Sequence, residues 1–86
     1  MTWQVGWTPP ARRDIRRLDP RVKQRIFRAL DRLAADPTAA DIRQLVGTDD
    51  LWRLRVGDYR VIFWFDLPAQ TIQIARVAHR RDAYRS

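Results

Sequence analysis

The segment from Leu51 to Asp66 alternates in polarity and is interrupted once, by Gly57-Asp58. A two-residue loop with glycine first belongs to the turn whose twist matches that of two paired strands, so the segment predicts a β-hairpin, Leu51 to Val56 and Asp58 to Asp66. Such a loop fixes the register. Val56 faces Tyr59, Arg55 faces Arg60, Leu54 faces Val61, Arg53 faces Ile62 and Trp52 faces Phe63. Because side chains alternate, Trp52, Leu54, Val61 and Phe63 share one apolar side, and Arg53, Arg55 and Arg60 share the other. A sheet with one apolar face needs a second layer over it, which the rest of the chain must supply.

The N-terminal half supplies it. Trp3, Val5 and Trp7 alternate with Gln4 and Gly6, predicting a short opening strand. Thr8 before Pro9 and Pro10 reads as a helix start, a capping hydroxyl followed by prolines where the backbone N–H has no partner. Ala11, Ile15 and Leu18 then make one apolar stripe, with Arg12, Arg13, Arg16 and Arg17 around it. Asp19-Pro20 repeats the start signal. Val22, Ile26, Leu30 and Leu33 recur at helical spacing through a longer second helix, which Asp36-Pro37 ends. With almost no linker, the two helices must fold back as a hairpin. Residues 37–50 are polar and predict a connection, with a helical turn near Ala40 to Leu45. Gln70 to Ala78 is β-branched enough for a last strand, and His79 to Ser86 is a basic tail. The expected fold is α+β, in the order β-α-α-β-β-β: a small antiparallel-rich sheet packed against an N-terminal helix hairpin.

With 86 residues there is room for one domain, 1–86. A chain of this size buries only about 60–65% of its unfolded surface, so nearly every large apolar residue belongs to one core. There is no cysteine, which removes disulfides, thiolate metal sites and thiol nucleophiles. The longest apolar run, Val61 to Phe65, is far shorter than the roughly 20 residues of a membrane helix, and the start Met-Thr-Trp-Gln lacks a signal pattern. The expectation is a cytoplasmic protein with no membrane partner.

Seventeen basic and ten acidic residues give a net charge of +7, which favours a polyanionic partner. The excess of Arg over Lys also fits the coding bias of a G+C-rich genome, so each arginine needs its own argument. Three on one sheet face have one: like charges directly across a strand pair are destabilising, and a phosphate or carboxylate among them relieves the repulsion. The alternative is that each fans into water or pairs with Asp58 or Asp66. His79, Arg80, Arg81 and Tyr84 follow the last strand and are expected at the end of the sheet, beside this face. Tyr84 can stack on a base or simply pack; Arg80 can bind phosphate. Histidine is the residue type whose unperturbed pKa lies near neutrality, so His79 is a proton shuttle if there is acid–base chemistry and idle otherwise. One His and no Glu leave no metal site, and glycines at 6, 47 and 57 cannot cradle a phosphate. No cofactor is expected.

Taken together, Leu45-Val46-Gly47, the run Trp52-Arg53-Leu54-Arg55-Val56-Gly57-Asp58-Tyr59-Arg60-Val61-Ile62-Phe63 and the ending Val77-Ala78-His79-Arg80-Arg81-Asp82-Ala83-Tyr84-Arg85 resemble the RelE/ParE superfamily of type II toxin–antitoxin toxins, more closely its RelE branch. The resemblance covers nearly the whole chain. It implies a ribosome-dependent, metal-independent endoribonuclease that cuts messenger RNA and inhibits translation. In that chemistry the ribose 2′-OH attacks the adjacent phosphate, and basic side chains stabilise the phosphorane. By this resemblance Arg53 matches a basic position on the attacking side, often Lys in the family. Arg60 matches the phosphate-stabilising Arg, Arg80 the Arg at the leaving oxygen, and Tyr84 the base-stacking aromatic. Arg55 is a supporting cation, and Arg81 and Arg85 add RNA-binding charge. Arginine at 53 is a departure: a guanidinium stabilises charge but does not give up its proton. Proton transfer then falls to His79, or to ribosomal RNA and preorganised geometry.

The implied partners are the ribosome and its message, a cognate acidic RelB-like antitoxin, and operator DNA only through the antitoxin complex. Two other readings are a ParE-like inhibitor that binds DNA gyrase without chemistry, and a basic binding module that acts only through its antitoxin.

Overall fold

A computed structural model of the chain describes residues 2–81. Strand β1 (Gln4–Trp7) leads into helices α1 (Pro9–Arg16) and α2 (Pro20–Ala35). A single 3-10 turn, Pro37–Ala39, follows, then strands β2 (Ile42–Gln44), β3 (Trp52–Val56), β4 (Tyr59–Asp66) and β5 (Thr71–His79). The sheet order is β1-β5-β4-β3-β2, antiparallel throughout except for the parallel pair β1–β5. The α+β class and the element order agree with the sequence, with β2 as an added edge strand.

Both helices begin as the Thr-Pro and Asp-Pro signals predict. Thr8 Oγ1 accepts from the Ala11 amide at 3.4 Å, and Asp19 Oδ1 accepts from the Arg21 amide at 2.8 Å. Asp36 serves two elements. Its amide donates to Arg32 O to end α2, while its carboxylate accepts from the Thr38 amide and hydroxyl to start the 3-10 turn. The hydroxyl bond from Thr38 outweighs the other influences and lowers the Asp36 pKa from its ordinary value.

The helical turn expected near Ala40 to Leu45 is a correction: it lies earlier, at Pro37–Ala39, and Ile42–Gln44 is extended. Three residues are too few to show a period of two. What makes them a strand is Ile42, which packs against the core opposite Leu54.

One core joins the layers. Ile26, Leu30 and Leu33 of α2 meet Leu54, Val61, Phe63, Ile72, Ile74 and Val77 of the sheet, all buried. Burying each such side chain stabilises the fold by about 1.5–3 kcal/mol. Among the described residues no polar side chain is buried, and no helix is long and apolar enough to cross a membrane.

The sheet is not uniform along β5. Ile62 pairs with Arg76 but Phe63 with Ile74, so Ala75 is an extra residue, a β-bulge. The Thr8 hydroxyl donates toward both Ile74 O (2.8 Å) and Ala75 O (3.1 Å), holding the bulge to the start of α1. Where β1 stops, α1 takes over the outer edge of β5: Asp14 accepts the Val77 amide hydrogen, a bond that a neighbouring strand would otherwise make.

Candidate nucleic-acid interface

The β3–β4 hairpin has the register its turn demands, with Val56 opposite Tyr59, Arg55 opposite Arg60, Leu54 opposite Val61, Arg53 opposite Ile62 and Trp52 opposite Phe63. Gly57 has φ +59°, and Asp58 is not in the left-handed region, as the glycine-first turn requires. Leu54, Val61 and Phe63 are buried beneath the helices, so Arg53, Arg55 and Arg60 are at register positions on the opposite face.

That face carries more charge than the hairpin alone supplies. Arg43 of β2 is directly opposite Arg53, which is opposite Ile62, which is opposite Arg76 of β5, making one row across four strands. The next row is Arg55, Arg60 and Ala78. Arg53 and Arg60 are diagonal neighbours on adjacent strands, a relation of about 7–8 Å. Two directly opposed arginine pairs, 43 with 53 and 55 with 60, each cost some tenths of a kcal/mol in repulsion.

Neither Arg43 nor Arg76 stands out in the sequence as a member of this face. The first belongs to the unforeseen edge strand. The second is on this face because of the bulge: without Ala75 as an extra residue, Arg76 would fall opposite Val61, in the core.

Arg76 is neutralised locally. Its Nε donates to Asp14 Oδ2 at 2.8 Å and its Nη2 to Asp14 Oδ1 at 3.2 Å. Partial burial, the largest single influence on the Asp14 carboxyl, pushes its pKa up, but the hydrogen bonds from Arg76 and the Val77 amide and the charges of Arg76 and Arg17 together outweigh it. The net direction is down from the ordinary 3.8. The same pairing raises the Arg76 pKa. Among the described residues Arg43, Arg53 and Arg55 make no ion pair.

Arg55 is exposed and also borders a groove at the outer edge of β3, beside Arg25, Arg28 and Arg32 of α2 and Gly57. It therefore connects the open face to a second cationic surface. Arg80 is exposed at the hairpin tip, its amide donating to Asp58 O at 2.7 Å. It stands near Arg60, one alternation beyond Ala78. Arg81 is exposed, and its amide donates to His79 Nδ1 at 3.3 Å.

His79 differs from the expectation. It pairs with Tyr59, whose ring packs against the core, and it meets that ring edge-on with centroids 5.2 Å apart. The last residue of β5 thus belongs to the helix side of the sheet, and the structure does not bring His79 together with Arg53 and Arg60. Tyr84 and Arg85 lie outside the described residues. Among the described residues no three His, Asp or Glu side chains form a group able to hold a metal ion.

Chemically, the open face offers fixed positive charge. Paired strands fix where each arginine leaves the sheet, and from those positions the side chains can converge on a phosphodiester and stabilise added negative charge.

A family model described as the ParE toxin of the type II toxin–antitoxin system, parDE, matches residues 5–84. The chain is 35% identical over 89 residues to Toxin RelG of Mycobacterium tuberculosis, covering 99% of each. A chain of the RelBE2 toxin–antitoxin complex of M. tuberculosis superposes with a TM-score of 0.81 at 29% identity, covering 93% of this chain and 100% of that one. One from the archaeal RelE–RelB complex of Pyrococcus horikoshii OT3 gives 0.76 at 29% identity, covering 93% and 97%. A free mutant RelE of E. coli gives 0.80 at 18% identity over 99% and 90%, a likeness of fold alone. With a family model spanning nearly every element and a relative similar from end to end, this chain belongs to the ParE toxin family, in the RelE/ParE superfamily of type II toxin–antitoxin toxins.

Proposed function

We propose that this toxin is an endoribonuclease that cuts messenger RNA on the ribosome and so inhibits translation. The observation that carries the reading is the diagonal pair Arg53 and Arg60 on an open sheet face, with Arg43 beside them and Arg80 at the hairpin tip. The ribose 2′-OH attacks the neighbouring phosphorus, a fifth oxygen ligand forms, and the bond to the 5′-oxygen breaks to leave a 2′,3′-cyclic phosphate. Arg53 and Arg60 hold the phosphorane oxygens, Arg80 stabilises the charge building on the leaving oxygen, and Tyr84 stacks on a substrate base. Arg55, Arg81 and Arg85 add charge along the RNA.

A guanidinium stabilises charge but is not a general base. His79 stands on the other side of the sheet and accepts from the Arg81 amide, a structural role rather than a proton shuttle. Proton transfer is therefore assigned to the ribosomal RNA surrounding the message. The chemistry asks for no metal and no cofactor.

Relatives of this fold were solved as complexes with RelB antitoxins. We assign this chain a similar acidic partner in the cytoplasm, and contact with operator DNA only through that complex. Primer extension on a defined message in purified translation reactions tests the reading. Cleavage should appear with the toxin and vanish when ribosomes are omitted. Intact message together with trapped gyrase–DNA complexes would instead favour binding to gyrase, in keeping with the ParE description of the family.

A further inference from the structure

The four tryptophans divide unequally. Trp3, Trp7 and Trp52 pack against the core, and each meets a phenylalanine ring: Trp3 and Trp52 meet Phe65 at 5.1 and 6.1 Å, and Trp7 meets Phe27 at 5.9 Å. Trp64 does neither. It pairs with Gln73, and the alternation along β4 puts it on the open face, in the sequence Arg60, Ile62, Trp64, Asp66. Ile62 is likewise half-buried without packing on the core. Trp64 is half-buried among its sheet neighbours, and among the described residues no element lies over this face, so part of the indole remains open to a partner.

The surroundings specify the partner's chemistry. Ile62 is flanked across the sheet by Arg53 and by Arg76, whose charge Asp14 offsets, with Arg43 one strand further; the Ile62 side of Trp64 is therefore cationic, while Asp66 follows it at the strand end. On the other side the surface is low. Gln73 lies across Gly6, where a Cβ would come within 2.5 Å of its Oε1, so β1 raises no side chain beside the Trp64–Gln73 pair. Same-face residues on a strand are about 6.8 Å apart, which puts Trp64 roughly 14 Å along β4 from Arg60. A flat aromatic at the end of a level, arginine-bordered strip matches single-stranded nucleic acid, in which phosphates alternate with bases that can stack. An acidic peptide would satisfy the arginines but would leave the indole without a planar group to cover it.

We propose that Trp64 is a base-stacking subsite for unpaired RNA, separate from the phosphate position at Arg53 and Arg60, with Ile62 as the apolar floor between them. The inference rests on reading this face as the RNA-binding one. It makes Trp64 a specificity-determining residue, because stacking strength depends on the size of the base's π-face.

The test is a titration of a 2′-O-methyl oligoadenylate 12-mer, which the toxin cannot cut, into the wild type, Trp64→Phe and Trp64→Ala. Trp64→Ala should raise Kd about tenfold, a stacking loss, while leaving the slope of log Kd against log salt unchanged because no phosphate contact is removed. Trp64→Phe should retain most of the affinity and controls for folding, as does thermal melting of both variants. An oligouridylate should bind the wild type more weakly than the oligoadenylate, and the difference should shrink in Trp64→Ala. Equal Kd values for wild type and Trp64→Ala overturn the subsite. So does loss of affinity for a co-expressed acidic antitoxin with oligonucleotide binding unchanged, which would assign the indole to a protein. Because the ligand is uncleavable, the outcome is independent of whether the toxin cuts message on ribosomes.

Discussion

Asp14 Oδ2 accepts the Val77 amide at 2.9 Å while the same carboxylate grips the Arg76 guanidinium, so one side chain of α1 closes the open edge of β5 immediately after the bulge. Removing it leaves a partly buried amide without a partner. Asp14→Ala should cost about 1–3 kcal/mol of stability, read as a lower midpoint in urea unfolding with little change in slope. Asp14→Asn, which keeps an acceptor, should cost less.

The same carboxylate sets a pH dependence. Its folded pKa lies below its unfolded value of 3.8, so its contribution to stability is complete above about pH 5 and is lost as pH falls through 3.8 toward the folded pKa. Between pH 6 and pH 3 the wild type should lose more stability than Asp14→Asn does. Parallel curves for the two proteins would remove Asp14 as the source.

For the chemistry, Arg60→Ala should slow cleavage of ribosome-bound message by about 10² to 10³, with much smaller loss of ribosome binding, because the charge it stabilises develops in the transition state. His79→Ala should slow it far less than Arg60→Ala. A His79 defect as large as that of Arg60 would return the proton to His79.

Tyr84→Phe should keep most of the activity that Tyr84→Ala loses, since a ring without its hydroxyl still stacks. Equal impairment of the two would make the hydroxyl the functional group.

Gly57 occupies φ +59° at the tip of the hairpin, and Gly57→Ala should destabilise by about 1–3 kcal/mol through backbone strain. Co-expression of a neighbouring acidic antitoxin should restore growth to cells making the toxin, and the two should co-purify. Folded, abundant toxin that cells tolerate alone would argue against toxicity by this face.

The part of the molecule legible in the sequence is the part governed by local rules. A two-residue turn dictated which of Arg53, Arg55 and Arg60 share a face, and Thr8-Pro9 and Asp19-Pro20 marked both helix starts. Where long-range pairing decides, the sequence was silent or misleading. Arg76 changes faces because one residue, Ala75, has no partner across the sheet, and its one trace in the sequence is a phase slip, with Arg76 in step with Ile72 and Ile74 and Val77 out of step. His79 belongs to the helix side because the β4–β5 register puts it opposite Tyr59. Arg43 required an edge strand of three residues, and Trp64 required knowing that among the described residues no element covers the open face.

Among the described residues the one parallel pairing joins the first strand to the last, and Thr8 reaches Ala75 across 67 positions of sequence. During vectorial synthesis β1 and α1 emerge with no strand to receive them, and the row from Arg43 to Arg76 cannot assemble until β5 has been made. Closure over such a separation is slow compared with forming a hairpin. A nascent chain therefore lacks the assembled arginine row until its last strand is made, and under the ribosome-directed reading proposed above it would be unarmed until then.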